Sequence, residues 1–164
     1  MLFRSAIRRT IDTIAEFTGT APRGWMGPGL AETFDTPDIL AEEGIEYVAD
    51  WCNDDQPYPM KVKSGSLVAL PYTVELNDIP VYLVQHHRSP ELFDRAKDHF
   101  DTLYREGAES ARIMCVSTHP YITGAAHRIK YYDQIFEYIR RHDDVVFMTG
   151  SEILDWYTEE MASQ

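Results

Sequence analysis

Short apolar runs alternate with amphipathic helical stretches along this 164-residue chain, and glycine or proline marks most of the switches. Such alternation points to an α/β fold, because buried runs joined by helices pair mostly in parallel. Ile7, Ile11, Ile14 and Phe17 recur at helical spacing, and Gly19 follows as a stop. Residues 21–29 are rich in Gly and Pro and predict a shaped loop or a very short strand. Thr36-Pro37 caps a helix that Gly44 ends. Residues 45–51 and 67–74 read as strands, with a polar loop over 53–59 between them. Ser89-Pro90 opens a helix with the stripe Leu92, Phe93, Ala96, Phe100 and Leu103, closed by Gly107. Residues 111–116 predict a strand covered on both faces. A helix around Ile129, Ile135, Phe136 and Ile139, a strand over 145–149 and a last helix from Ser151 complete the order. With no repeat, linker or low-complexity tract, residues 1–164 read as one domain.

Charge removes several function classes. A formal net charge of -12 opposes binding to nucleic acid or to an anionic membrane, both of which need clustered Lys and Arg. No apolar stretch nears the roughly 20 residues that span a bilayer. Cys52 and Cys115 match no metal or redox spacing, and two isolated thiols fit a reducing cytoplasm.

Polar residues gather where apolar runs end. His119 follows one such run and precedes Pro120, which stops a ladder; a histidine at a strand end can pass a proton to a leaving group. The loop Pro22 to Gly29 offers Arg23 for a carboxylate and Trp25 as a flat wall, but not the spacing of a phosphate-binding loop. Asp50-Trp51-Cys52-Asn53-Asp54-Asp55 supplies carboxylates that could orient an arginine, bind a metal or accept hydrogen bonds, or could form an ordinary turn. Pro71-Tyr72 with Asn77-Asp78 is open to the same two readings.

Taken together and in order, Arg23-Gly24-Trp25, Asn53-Asp54-Asp55 with Pro57-Tyr58, Pro71-Tyr72 with Asn77-Asp78, and Thr118-His119-Pro120 resemble the polysaccharide deacetylase (NodB-homology) superfamily. The resemblance is to its later part, in the branch of peptidoglycan-deacetylase-like and allantoinase-like proteins. It implies an α/β fold that is part of a distorted (β/α) barrel with its early strands missing. It also implies hydrolysis of a non-peptide C–N bond, in an N-acetylated sugar or a small cyclic amide or ureide such as allantoin. His119 would protonate the departing nitrogen and Arg23 would serve catalysis. Trp25, Asp50, Asp54, Asp55, Tyr72, Asn77 and Asp78 would face the substrate.

Val116 replaces the usual leucine two residues before Thr118-His119-Pro120, and Gly24-Trp25 replaces the proline and aromatic residue that usually follow the arginine, which favours smaller or cyclic amides. The early aspartate motif and the His-x-x-x-His metal motif have no match here. His86-His87, read as strand neighbours, would point to opposite faces. His99, His127 and His142 read as surface residues, and His127-Arg128 as solvated loop, although that pair follows the His119 loop and could touch substrate. No metal site is therefore expected in this chain, although the family's zinc would fit a longer protein. The expectation is a carboxyl-terminal portion, inactive alone, whose residues 1–5 (Leu2-Phe3-Arg4-Ser5 matches a sequencing-adaptor end) are not native. Its partner would be a small-molecule or glycan substrate, with no nucleic acid and no membrane, and with homo-oligomerisation left open. A glycan- or ureide-binding module without catalysis is the alternative.

Overall fold

Helix α1 (Leu2–Thr18) forms over the first apolar stripe and buries Ile7 and Ile11. Gly19 ends it in the left-handed region at φ 79°, which glycine adopts without steric cost. The stripe is only half used, since Ile14 is partly exposed and Phe17 lies almost wholly in solvent. The computed structural model describes residues 2–163. It divides into two compact units, one formed by the chain up to Leu70 together with the segment from Met148, the other by Pro71–Phe147.

The first unit holds a small open sheet. Strands β1 (Gly24–Trp25), β2 (Tyr47–Val48), β3 (Tyr58–Pro59) and β4 (Val68–Ala69) lie in the order β1-β2-β4-β3. The first three in that order are parallel, and β3 is antiparallel to β4. Helix α2 (Thr36–Glu42) packs Leu40 against Ile7, Ile11, Ile45, Val48 and Leu67, the core of this unit. Arg4 of α1 pairs with Glu42 and Glu43. Helix α6 (Gly150–Ala162) belongs here too: a Cβ at Gly150 would meet the Tyr47 hydroxyl at 2.6 Å, and one at Gly24 would strike the same ring at 2.0 Å. Thr149 and Glu152 close a reciprocal capping box at the start of α6.

The second unit is helical around one core. It contains a 3₁₀ turn (Val74–Leu76), a π turn (Ile79–Val84), α3 (Glu91–Glu106), the single turn α4 (Pro120–Thr123) and α5 (Ile129–Ile139). Leu76, Val81, Leu92, Ala96, Phe100, Ile122, Ile135 and Ile139 bury their side chains together.

The α/β class stands, but the strands are shorter than the apolar runs. Over 67–74, pairing ends at Ala69, and Pro71, which has no N–H to give, begins the second unit. Residues 111–116 form no regular element and none of them is buried, and only Ser117 just after them pairs, in a parallel bridge to Asn77. That run is therefore not a strand covered on both faces. Residues 145–149 form no strand, and Val146, Phe147 and Met148 are exposed. Among the described residues, no helix is long and apolar enough to cross a membrane.

Candidate active site

Asp78 stands at the start of the π turn, wholly buried, and it organises the second unit's polar centre. Its Oδ1 lies 2.7 Å from His119 Nδ1, while Oδ2 accepts the His119 backbone N–H at 2.7 Å and the Thr123 hydroxyl at 2.7 Å. A carboxylate can only accept, so the imidazole proton sits on Nδ1. Pro120 starts α4 directly after His119, which leaves the histidine in an extended conformation at the helix entry with its ring half-exposed. Nε2 makes no hydrogen bond among the described residues, and the Tyr121 ring lies edge-on to the imidazole at 5.7 Å.

The other second-unit candidates brace this pair. Asn77 Nδ2 donates to the buried Tyr72 hydroxyl at 2.7 Å, and Asn77 Oδ1 accepts from the Ile79 amide. The backbone alternates across the bridge, with Ser117 N–H bonding Leu76 and Asp78 N–H bonding Ser117. Asn77 and Tyr72 thus fix the stretch that places Asp78.

In the first unit, the Arg23 guanidinium is forked onto Glu46 at 2.7 Å and Asp155 at 2.7 Å. These bonds raise the Arg23 pKa and hold the Asp155 carboxyl below its usual range. Trp25 packs against the unit's core. Asp54 is exposed and accepts the Gln56 N–H, the two-residue reach of an Asx turn; Asp55 is half-buried.

Asp50 is buried, and its Oδ1 accepts the Gly27 N–H at 2.7 Å. A Cβ at Gly27 would meet the Ala31 carbonyl at 2.7 Å, so only glycine allows this approach. Asp50 Oδ2 and Glu32 Oε1 are both buried and lack a hydrogen-bond partner. Burial, followed by Asp50 itself, pushes the Glu32 carboxyl up to about 7, while burial raises Asp50 as well. Both carboxyls therefore hold a proton to higher pH than they would in water. Glu32 also accepts from the Trp51 indole. The sequence reading missed Glu32, because a lone acid after a Gly-Pro loop carries no distinguishing signal.

The histidine readings need correction. Gln85, His86 and His87 leave the π turn through a bend in which His86 has φ 57°, so strand alternation does not apply. His87 contacts Arg95 and Glu91. His142 is half-buried among Phe100, Tyr104 and Tyr138, and His99 is half-buried as well. Arg128 is likewise half-buried, not solvated. Among the described residues, no three His, Cys, Asp or Glu side chains could hold an ion together. The two Asp78 oxygens are already occupied by three donors.

No family model matches the chain. Over 90% of its length it is 32% identical to a polysaccharide deacetylase homologue of Schizosaccharomyces pombe, of which it covers 51%. It is 23% identical to the peptidoglycan deacetylase of Helicobacter pylori, again over 90% of this chain, and covers 60% of that protein. Among solved structures, a polysaccharide deacetylase homologue from Pseudomonas aeruginosa PAO1 superposes with a TM-score of 0.88 at 28% identity, over 96% of this chain and 53% of that one. PuuE allantoinase gives 0.84, also at 28% identity, over 93% and 51%. The chain therefore spans about half the length of the first curated relative it matches.

Proposed function

From its kinship with the polysaccharide deacetylases and an allantoinase, whose NodB-like fold it shares, we propose that this chain is the proton-donating part of a hydrolase of non-peptide C–N bonds. The observation that carries the reading is the Asp78–His119 pair: a fully buried carboxylate holds Nδ1 and leaves Nε2 on the half-exposed side. When a C–N bond breaks, its electron pair passes to nitrogen, and an unprotonated amide nitrogen leaves poorly. An imidazolium at His119 gives its Nε2 proton to that nitrogen, while the Asp78 carboxylate faces the ring it has oriented. Water supplies the oxygen that stays on the carbonyl carbon.

The substrate class is an N-acetylated amino sugar or a small cyclic amide or ureide, and the Gly24-Trp25 sequence after Arg23 favours the smaller group. His-x-x-x-His and the early aspartate motif do not occur in these residues, so the chain alone is expected to bind without turnover. The test supplies the missing part. The chain is assayed alone and joined to the early segment of a relative that carries both motifs, against N-acetylglucosamine oligomers, allantoin and cyclic imides. Hydrolysis by the joined protein that His119→Ala abolishes supports the reading. Tight binding with no turnover in either form supports the alternative of a glycan- or ureide-binding module.

A further inference from the structure

Arg128 reaches both segments that build the Asp78–His119 pair. Its Nη1 donates to the Ile122 carbonyl at 3.3 Å, inside the turn that runs from His119 to Thr123. Its guanidinium lies over the Tyr82 ring, 4.5 Å from the centroid, and Tyr82 sits one turn beyond Asp78 in the π segment. Tyr82 is itself buried and anchored, its hydroxyl donating to the Ser89 carbonyl at 2.8 Å. Arg128 Nε is buried with no hydrogen-bond partner. A buried donor left unmet is costly, and it persists only where the rest of the side chain is held firmly.

Resting on the pair's role above, we propose that Arg128 is its positioning residue. The turn it grips carries Thr123, whose hydroxyl occupies Asp78 Oδ2. With Oδ2 committed to Thr123 and the His119 amide, Oδ1 is the oxygen left for the ring. Arg128 therefore acts through the turn, holding His119 and Asp78 in register so that the Nδ1–H tautomer keeps its acceptor, without touching substrate. Its planar fork is suited to this, since its face stacks on the ring while its edge donates in a fixed geometry, which a lysine's flexible ammonium does not provide.

The ¹⁵N shifts of the His119 ring in the full chain at neutral pH test the idea. The wild type should show the proton on Nδ1. Arg128→Met should lower the ratio of the Nδ1–H to the Nε2–H form roughly 2- to 10-fold, the range that one hydrogen bond supports, with Arg128→Lys in between. Equal ratios in all three proteins overturn the proposal even if the variants are less stable, because a merely structural residue would not move the tautomer. If Arg128→Met does not fold, Arg128→Lys against wild type still decides. Asp78→Asn separates this proposal from the reading beneath it. Its amide oxygen would take the two donors at Oδ2 and turn its NH₂ toward Nδ1, forcing the proton to Nε2. A tautomer unchanged in Asp78→Asn sinks the pair itself; a flip there with no change in the Arg128 variants sinks only the role of Arg128.

Discussion

In the first unit Arg23 is held by Glu46 and Asp155, Asp50 by the Gly27 amide, and Asp54 by its own turn. In the second, His119 is gripped at one nitrogen and left open at the other. Both units put polar residues after apolar runs, but of these candidates His119 is the one whose ring is oriented through one nitrogen and half-exposed, with no hydrogen bond at the other among the described residues. Position at the end of a run brings a side chain to a loop; the free valence after local hydrogen bonding decides whether it can do chemistry. By that measure Arg23 and Asp54 of the first unit are engaged by their own neighbours, while His119 keeps one ring nitrogen without a hydrogen bond among the described residues.

The sharpest way to break this contrast is kinetic. In a form of the protein that turns over, His119→Ala should lower kcat roughly 10²- to 10⁴-fold, the usual cost of losing a general acid, while Arg23→Ala costs far less. Equal losses would erase the distinction. Next in size is stability. Asp78→Ala leaves the Thr123 hydroxyl and the His119 amide unmet around a buried site, and urea unfolding should register a loss of about 3 kcal/mol. Arg23→Ala should cost about 1 kcal/mol or less, because its partners are partly exposed, and the loss should shrink in high salt. A salt-insensitive loss would mean that Arg23 acts by packing.

The smallest effect concerns pH. Glu32 is raised in the folded chain to about 7, whereas an unfolded glutamate titrates near 4.3. The folded state therefore binds more protons between those limits, so this contribution to stability is fully present below about pH 4.3 and fades as pH rises through about 7. Thermal melts of Glu32→Gln should show a gain over wild type at pH 8 that is absent at pH 4. A gain of equal size at both values would mean that burial and Asp50 do not raise Glu32 in the folded chain.

Much of the architecture was legible because it rests on local signals. The stripe of Leu92, Ala96, Phe100 and Leu103 became α3, and Thr36-Pro37 opened α2. The strands were not, because pairing depends on a partner that periodicity does not name. The run ending at Val116 is as apolar as the one containing Val48, but only the second gains a ladder on both sides. His119 was legible from Pro120 beside it. Its link to Asp78, 41 positions away, was not, because Asn-Asp is also ordinary turn chemistry. Arg128 looked solvated because the ring beneath it, Tyr82, lies far back in the chain.

The last helix returns to the first unit. Arg23 meets Asp155 across 132 positions, and Tyr47 lies against Gly150. During synthesis the first unit must wait, incomplete, until the ribosome has delivered the chain beyond Met148. The second unit is continuous in sequence and can close while its neighbour is still open. A stalled or shortened translation product ending near Phe147 would thus carry every residue of the second unit, the Asp78–His119 pair included, and a first unit without its last helix. What completes the first unit is where the chain comes back, not where it begins.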